Sequence, residues 1–133
     1  MRINYNKNKL NNRSITIDGI TFQSIREGNR YCELKLLQKA GKISNLELQK
    51  KYELIPAYYE TVETGEYYKI GAKKGQRKTK RICVEQSLCY NADFVYDENG
   101  KTIVEDAKGF KTEKYIIKRK LMLHKYGIRV KEV

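Results

Sequence analysis

Apolar positions along the chain recur with two different periods, and each predicts its own kind of element. Tyr31, Leu34 and Leu37 recur at helical spacing, and Ser24 with Glu27 three residues later reads as a capping box ahead of them. Gly41 stands just past the last periodic residue, so the spacing predicts a helix from Ser24 to Gly41. Thr112 can cap a second helix that runs through Tyr126 and stops at Gly127. The rest reads as strands. Ile15, Ile17 and Ile20 around Asp18-Gly19 predict a short hairpin over Ser14–Phe22, and Leu46 to Ile55 predicts a strand ending at Pro56. Tyr58 to Ile70, rich in Tyr and Thr, predicts a hairpin centred on Thr64-Gly65. Ile82 to Tyr96 reads as one long strand, joined by Asp97-Glu98-Asn99-Gly100 to a strand over Thr102–Lys108. Ile128, Val130 and Val133 predict a short closing strand, and Met1–Asn12, with five asparagines and no period, a mobile or loosely docked arm. The order is helix, several strands, helix, strand. It predicts one α/β domain over residues 1–133, with helices flanking a mixed central sheet.

Composition narrows the class. Apolar residues make up 40% of the chain, a globular proportion. No apolar run approaches the roughly 20 residues that span a bilayer, and Met1–Asn12 holds no apolar leader core. Cys32, Cys83 and Cys89 show no CxxC spacing, which argues against a disulfide framework and a zinc knuckle. The expectation is a protein with reduced thiols, in the cytoplasm.

Charge changes the picture more. Twenty-eight Lys and Arg against 16 Asp and Glu give a net charge of +12, which favours polyanionic partners through counterion release. The excess is clustered. Lys69–Arg81 holds seven basic residues and no acid, punctuated by Gly71 and Gly75, and reads as an exposed loop. Its candidate phosphate contacts are Lys73, Lys74, Arg77, Lys78, Lys80 and Arg81. Lys111–Lys125 holds six more against Glu113, with Lys111, Tyr115 and Lys118 as candidate DNA contacts. Core packing for Tyr115 and a solvated face for Lys118 are nearly as good readings.

The candidate chemistry lies on the two strands joined by the Asn99-Gly100 turn. Asp93 interrupts the apolar run Tyr90–Tyr96, where a carboxylate needs a partner or a metal. Thirteen residues later comes Asp106-Ala107-Lys108, and strand alternation puts Asp106 and Lys108 on one face, Glu105 and Ala107 on the other. Two carboxylates converging on a strand pair offer the hard oxygen ligands that Mg²⁺ prefers. A lysine beside them can orient water and steady a charged transition state. Surface ion pairs among the many lysines are the plainer reading of these aspartates. Glu27 shares the apolar stripe of the first helix as well as its capping position.

This set, with the order of elements around it, resembles the PD-(D/E)XK nuclease superfamily. More narrowly, the chain is similar to small phage-encoded proteins of that type. The stretches that carry the likeness are Phe22-Gln23-Ser24-x-x-Glu27, Gln49-x-x-Tyr52-x-Leu54, Tyr90-x-Ala92-Asp93-Phe94 and Val104-Glu105-Asp106-x-Lys108-Gly109. With the elements around them, the likeness covers most of the chain, from about residue 20 to 126. The resemblance implies a restriction-endonuclease-like α-β-β-β-α-β core and hydrolysis of DNA phosphodiesters with Mg²⁺ or Mn²⁺. It implies Asp93, Asp106, Lys108 and Glu27 as the catalytic set. It also implies metal ligands from Asp93, Asp106, Glu27 and the Ala107 carbonyl. A role in recombination or replication follows, Holliday-junction resolution included, with DNA as partner and a homodimer left open. Two departures stand out: Ala92 occupies the place of the motif's proline, and Glu105 competes with Asp106 for one slot.

Other nucleases fit less well. His124 is the lone histidine, against the multi-histidine HNH sites; Tyr68-Lys69-Ile70-Gly71 only loosely resembles half of a GIY-YIG motif; and no phosphate-cradling GxxxxGK[ST] is present. The competing function is a non-catalytic DNA-binding or phage interaction protein on a nuclease-like scaffold.

Overall fold

The computed structural model describes residues 13–133, together with the backbone of residues 4–7. The described residues divide into two compact units, Met1–Tyr52 with Tyr90–Val133, and Glu53–Cys89.

The first unit opens on a three-stranded antiparallel meander of β1 (Asn4–Lys7), β2 (Arg13–Ile17) and β3 (Ile20–Phe22). Asp18 and Gly19 both take positive φ, the two-residue turn that suits the twist of a hairpin. Of the arm expected over Met1–Asn12, Asn4–Lys7 is thus a paired strand, and the remainder lies outside the described residues.

Helix α1 spans Ile25–Lys39, and the Ser24 hydroxyl accepts the amide of Glu27 as expected of its cap. At its far end Gly41, with φ +73, allows paired bonds from the Gly41 and Lys42 amides to the carbonyls of Gln38 and Leu37. The helix buries Tyr31 and Leu34 against Ile15, Ile17, Phe22, Phe94 and Tyr96.

The central sheet is four-stranded and mixed, ordered β4 (Ser44–Ile55), β7 (Leu88–Glu98), β8 (Lys101–Asp106), β9 (Lys131–Glu132). β7 and β8 form an antiparallel hairpin through Asn99-Gly100, while β9 lies parallel to β8. Helix α2 (Glu113–Tyr126), capped by Thr112 and ended by left-handed Gly127, makes the crossover between β8 and β9. With the meander and the second unit set aside, the order is α1, β4, β7, β8, α2, β9. The chain is therefore a mixed α/β protein with a central mixed sheet and two helices.

Alternation along β8 sets the two faces. Glu105 turns to the α1 side, where Arg30 meets it; Asp106 turns to the other, towards Tyr115 of α2. On β4, Leu46 and Leu48 pack on the α1 side, yet Tyr52, in phase with them, meets Tyr126 of α2 at a ring separation of 5.5 Å. Between them Gln49 adopts φ +52, and this left-handed residue interrupts the pleat as a bulge does.

The second unit holds one long hairpin, β5 (Tyr58–Tyr67) with β6 (Arg77–Glu85). It corrects three expectations. Thr64-Gly65 is not a turn: Gly65, at φ +79, lies in a register shift between Glu63 and Tyr67, so the glycine absorbs a bulge inside one strand. The basic segment is a loop only up to Gln76, since Arg77–Arg81 pair with β5. The run Ile82–Tyr96 is broken at Gln86-Ser87, and its two parts belong to β6 and β7. The strand predicted over Thr102–Lys108 also stops early, at Asp106.

Candidate active site

The register that pairs Phe94 with Glu105, continued by one step, brings Asp93 and Asp106 together. Both are buried, at 9% and 1% exposure. Asp93 is held at both oxygens. Oδ1 accepts from Gln49 Nε2 at 3.0 Å and Oδ2 from the Ala107 amide at 2.9 Å. Asp106 is held at one: Oδ2 accepts from the Tyr90 hydroxyl at 2.6 Å. Its other oxygen, Oδ1, is buried and lacks a hydrogen bond. Lys108 Nζ lies 3.1 Å from it, an ion pair whose angles are not those of a hydrogen bond. The ammonium in turn sits 5.2 Å from the centre of the Tyr115 ring, a cation–π distance.

The electrostatics follow from two carboxylates buried side by side. Burial, then the charge of Asp106, pushes the Asp93 carboxyl up to about 6, against the hydrogen bonds from Ala107 and Gln49. Burial also raises the Glu27 carboxyl, Asp106 adds to this, and the Gln23 backbone, the Ser24 hydroxyl and Lys108 oppose it. Burial and the bond to Asp106 push the Tyr90 phenol well above its usual range, so it remains a donor.

Glu27 projects from the first turn of α1 and lines a cleft of about 270 Å³ with Gln23, Leu48, Gln49 and Asp93. Its amide completes the Ser24 cap, while its carboxylate lies 3.4 Å from the Ser24 hydroxyl. The cap and the cleft are thus both real. Among the described residues, however, no three His, Cys, Asp or Glu side chains gather closely enough to hold a metal by themselves.

Glu105, the rival acid, is fully buried on the opposite face. Arg30 grips both its oxygens, from Nε at 2.9 Å and Nη2 at 2.6 Å, and the Tyr96 hydroxyl and Lys131 add to the grip. Burial alone would raise the Glu105 carboxyl, but these partners outweigh it and hold it below its ordinary range. Alternation thus separates the two acids as expected, even though the strand ends at Asp106 and Lys108 reaches its partner from beyond it.

A family model described as "Protein of unknown function (DUF1064)" matches residues 7–132. The chain belongs to that family. No curated protein and no solved structure matches it. Among the described residues of this DUF1064 protein, no helix is long and apolar enough to cross a membrane, and Cys32, Cys83 and Cys89 are free thiols.

Asp93, Asp106, Lys108 and Glu27 therefore share one neighbourhood, and Ala107 joins it through its amide. Lys73, Lys74, Arg77, Lys78, Lys80 and Arg81 belong to the other unit. Tyr115 is buried, its hydroxyl 3.1 Å from Glu132, and Lys111 and Arg119 pair with the same glutamate. Lys118 is half-buried on α2. Sequence reasoning assigned no role to Gln49, Tyr90 or Arg30. The first two do stand in the stretches Gln49-x-x-Tyr52 and Tyr90-x-Ala92-Asp93. Arg30 is 75 residues from Glu105 and left no local signal.

Proposed function

We propose that this protein is a divalent-metal-dependent DNA endonuclease of the PD-(D/E)XK type, with Asp93, Asp106, Lys108 and Glu27 in its active site. One observation carries the reading: Asp106 Oδ1 is buried without a hydrogen bond beside a second buried carboxylate whose pKa is raised. Two facing carboxylates with a spare oxygen lone pair suit a hard cation that takes its remaining ligands from water. With the meander and the second unit set aside, the order of helix, three strands, helix and strand is that of the core which the resemblance implies, and this supports the reading.

Asp93 and Asp106 are the residues that would hold Mg²⁺ or Mn²⁺, with the Ala107 carbonyl and Glu27 as further donors. Bound there, the ion supplies positive charge to a phosphate and acidifies water. Gln49 and the Ala107 amide fix the Asp93 carboxylate, and Tyr90 fixes Asp106, so neither rotates away when DNA arrives. Lys108, an ammonium one-third exposed at the rim, can hold a water in line with the phosphate and offset charge developing on it. Glu27, its carboxyl shifted towards neutral pH, can accept a proton in the same cleft. Basic groups of the β5–β6 hairpin and of α2 would contact the DNA backbone, including Lys73, Lys74 and Lys118.

The rival is a DNA-binding or interaction protein that does not cut. It is favoured by the gathering of only two close carboxylates among the described residues, one of them already paired with Lys108. Incubation with supercoiled, linear and four-way DNA, in Mg²⁺, Mn²⁺ or EDTA, separates the two. Metal-dependent scission is expected from the wild type and none from an identically purified Asp106→Asn protein, whose DNA binding is retained or tightened. Equal scission by the variant, or none by the wild type on any substrate, rejects the nuclease reading.

A further inference from the structure

A two-stranded sheet gains little stability alone, because both of its faces meet water. The β5–β6 hairpin is an extreme case. From Glu53 to Cys89 the one buried side chain is Leu54, and every residue of both strands is exposed or half-exposed. Its sequence is nevertheless aromatic. Four tyrosines fall between residues 58 and 68, and Tyr58, Tyr59 and Tyr67 are 58%, 43% and 51% exposed. In a ribbon with no core, these rings are not enclosed by packing.

Cations lie over two of the hairpin's rings. The Arg81 guanidinium carbon is 3.9 Å from the centre of the Tyr59 ring. Lys73 and Lys78 lie 5.6 and 5.4 Å from that of Tyr68. A flat aromatic face beside a positive charge thus occurs at two places, Tyr59 and Tyr68, on the unit that carries seven Lys and Arg between residues 69 and 81. That pairing has the chemistry of a nucleotide strand: a base to stack on the ring and a phosphate for the cation. A duplex could use the cations but not the rings, since its base faces are already stacked on one another.

We infer that the β5–β6 hairpin binds single-stranded DNA, such as the unpaired segment of a branched or gapped substrate, by stacking bases on Tyr58, Tyr59 and Tyr67. The inference rests on DNA as the partner and is independent of cleavage. Each stacked base contributes enough that losing its aromatic platform costs about fivefold or more in affinity.

The test is binding of the full-length protein in EDTA, followed by fluorescence anisotropy at one fixed salt concentration. Its probes are a labelled 20-nucleotide single strand, the duplex of the same sequence, and the matching RNA. The wild type should bind the DNA strand more tightly than the duplex, despite the duplex's greater charge density. A Tyr59→Leu, Tyr67→Leu double variant should lose about 25-fold or more on the single strand, fivefold for each ring, and little on the duplex. The corresponding Phe double variant should bind as the wild type does, which separates stacking from the hydroxyls and from damage to the hairpin. Equal or tighter duplex binding by the wild type overturns the proposal, because it describes a basic ribbon lying in a groove. Unchanged single-strand binding in the Leu variant, a Phe variant as weak as the Leu one, or tighter binding to RNA overturns it too. A protein that passes this test and cuts nothing loses the nuclease reading alone; one that cuts and fails it loses only the hairpin's role.

Discussion

Asp93 is an acid held where its charge is unwelcome, and replacing it should stabilise the folded protein. Its carboxyl has an ordinary pKa of 3.8 and titrates near 6 in the fold, chiefly because it is buried and secondly because Asp106 faces it. Between those pH values the folded chain keeps a proton that the unfolded chain has released. The favourable contribution is therefore fully present below about pH 4, declines as the pH rises, and is gone above about pH 6. The difference amounts to about 3 kcal/mol of stability lost by neutral pH. An asparagine in its place would avoid that loss and could keep both polar contacts. Its carbonyl can accept from Ala107, and its amide can donate to Gln49 once the Gln49 side-chain amide turns over. Allowing for imperfect refitting, Asp93→Asn should gain about 1–3 kcal/mol at pH 8, or roughly 4–12 °C in Tm, and nothing at pH 4. Urea titrations of both proteins across pH 4 to 8.5 measure it directly. Adding Mg²⁺ at pH 8 should raise the wild-type midpoint and leave that of the variant in place, since a bound cation offsets the cost of the buried charge. A variant less stable than wild type at pH 8, or an offset unchanged across that range, would refute the reasoning.

Two more expectations concern charges with different surroundings. Glu105→Gln leaves the Arg30 guanidinium without its buried counter-ion, so it should cost about 3 kcal/mol in denaturant titrations. Cleavage measured well below the variant's Tm should persist, and its abolition there would mean that Glu105 acts in the chemistry. Neutralising Lys73, Lys74, Arg77 and Lys78 together should weaken binding to all DNA sequences alike. The log–log salt dependence on duplex should flatten by up to roughly 0.9 for each phosphate that these side chains cease to neutralise, and an unchanged slope would show that this segment does not touch phosphate.

What the sequence determined by itself is local. Ser24, Gly41, Thr112 and Gly127 bound the two helices as read, because caps act on amides and carbonyls a few residues away. Asp18-Gly19 and Asn99-Gly100 make the turns they promised, since both residues of each pair tolerate positive φ. That Asp106 and Glu105 face opposite sides of the sheet was legible from alternation alone. Tertiary structure decided wherever one local preference admitted two outcomes. Gly65 could serve a turn or a bulge, and the nine residues that β6 offers to β5 made it a bulge. Gln49 carries no turn signal, yet it takes a left-handed φ at +52 beside Asp93, whose carboxylate its side chain reaches. Lys108 falls past the end of its strand and still meets Asp106. The bonds from Tyr90 to Asp106 and from Arg30 to Glu105 join residues 16 and 75 positions apart. No period or spacing encodes such pairs, because they form only once sheet register and helix packing have brought separate segments of the chain side by side.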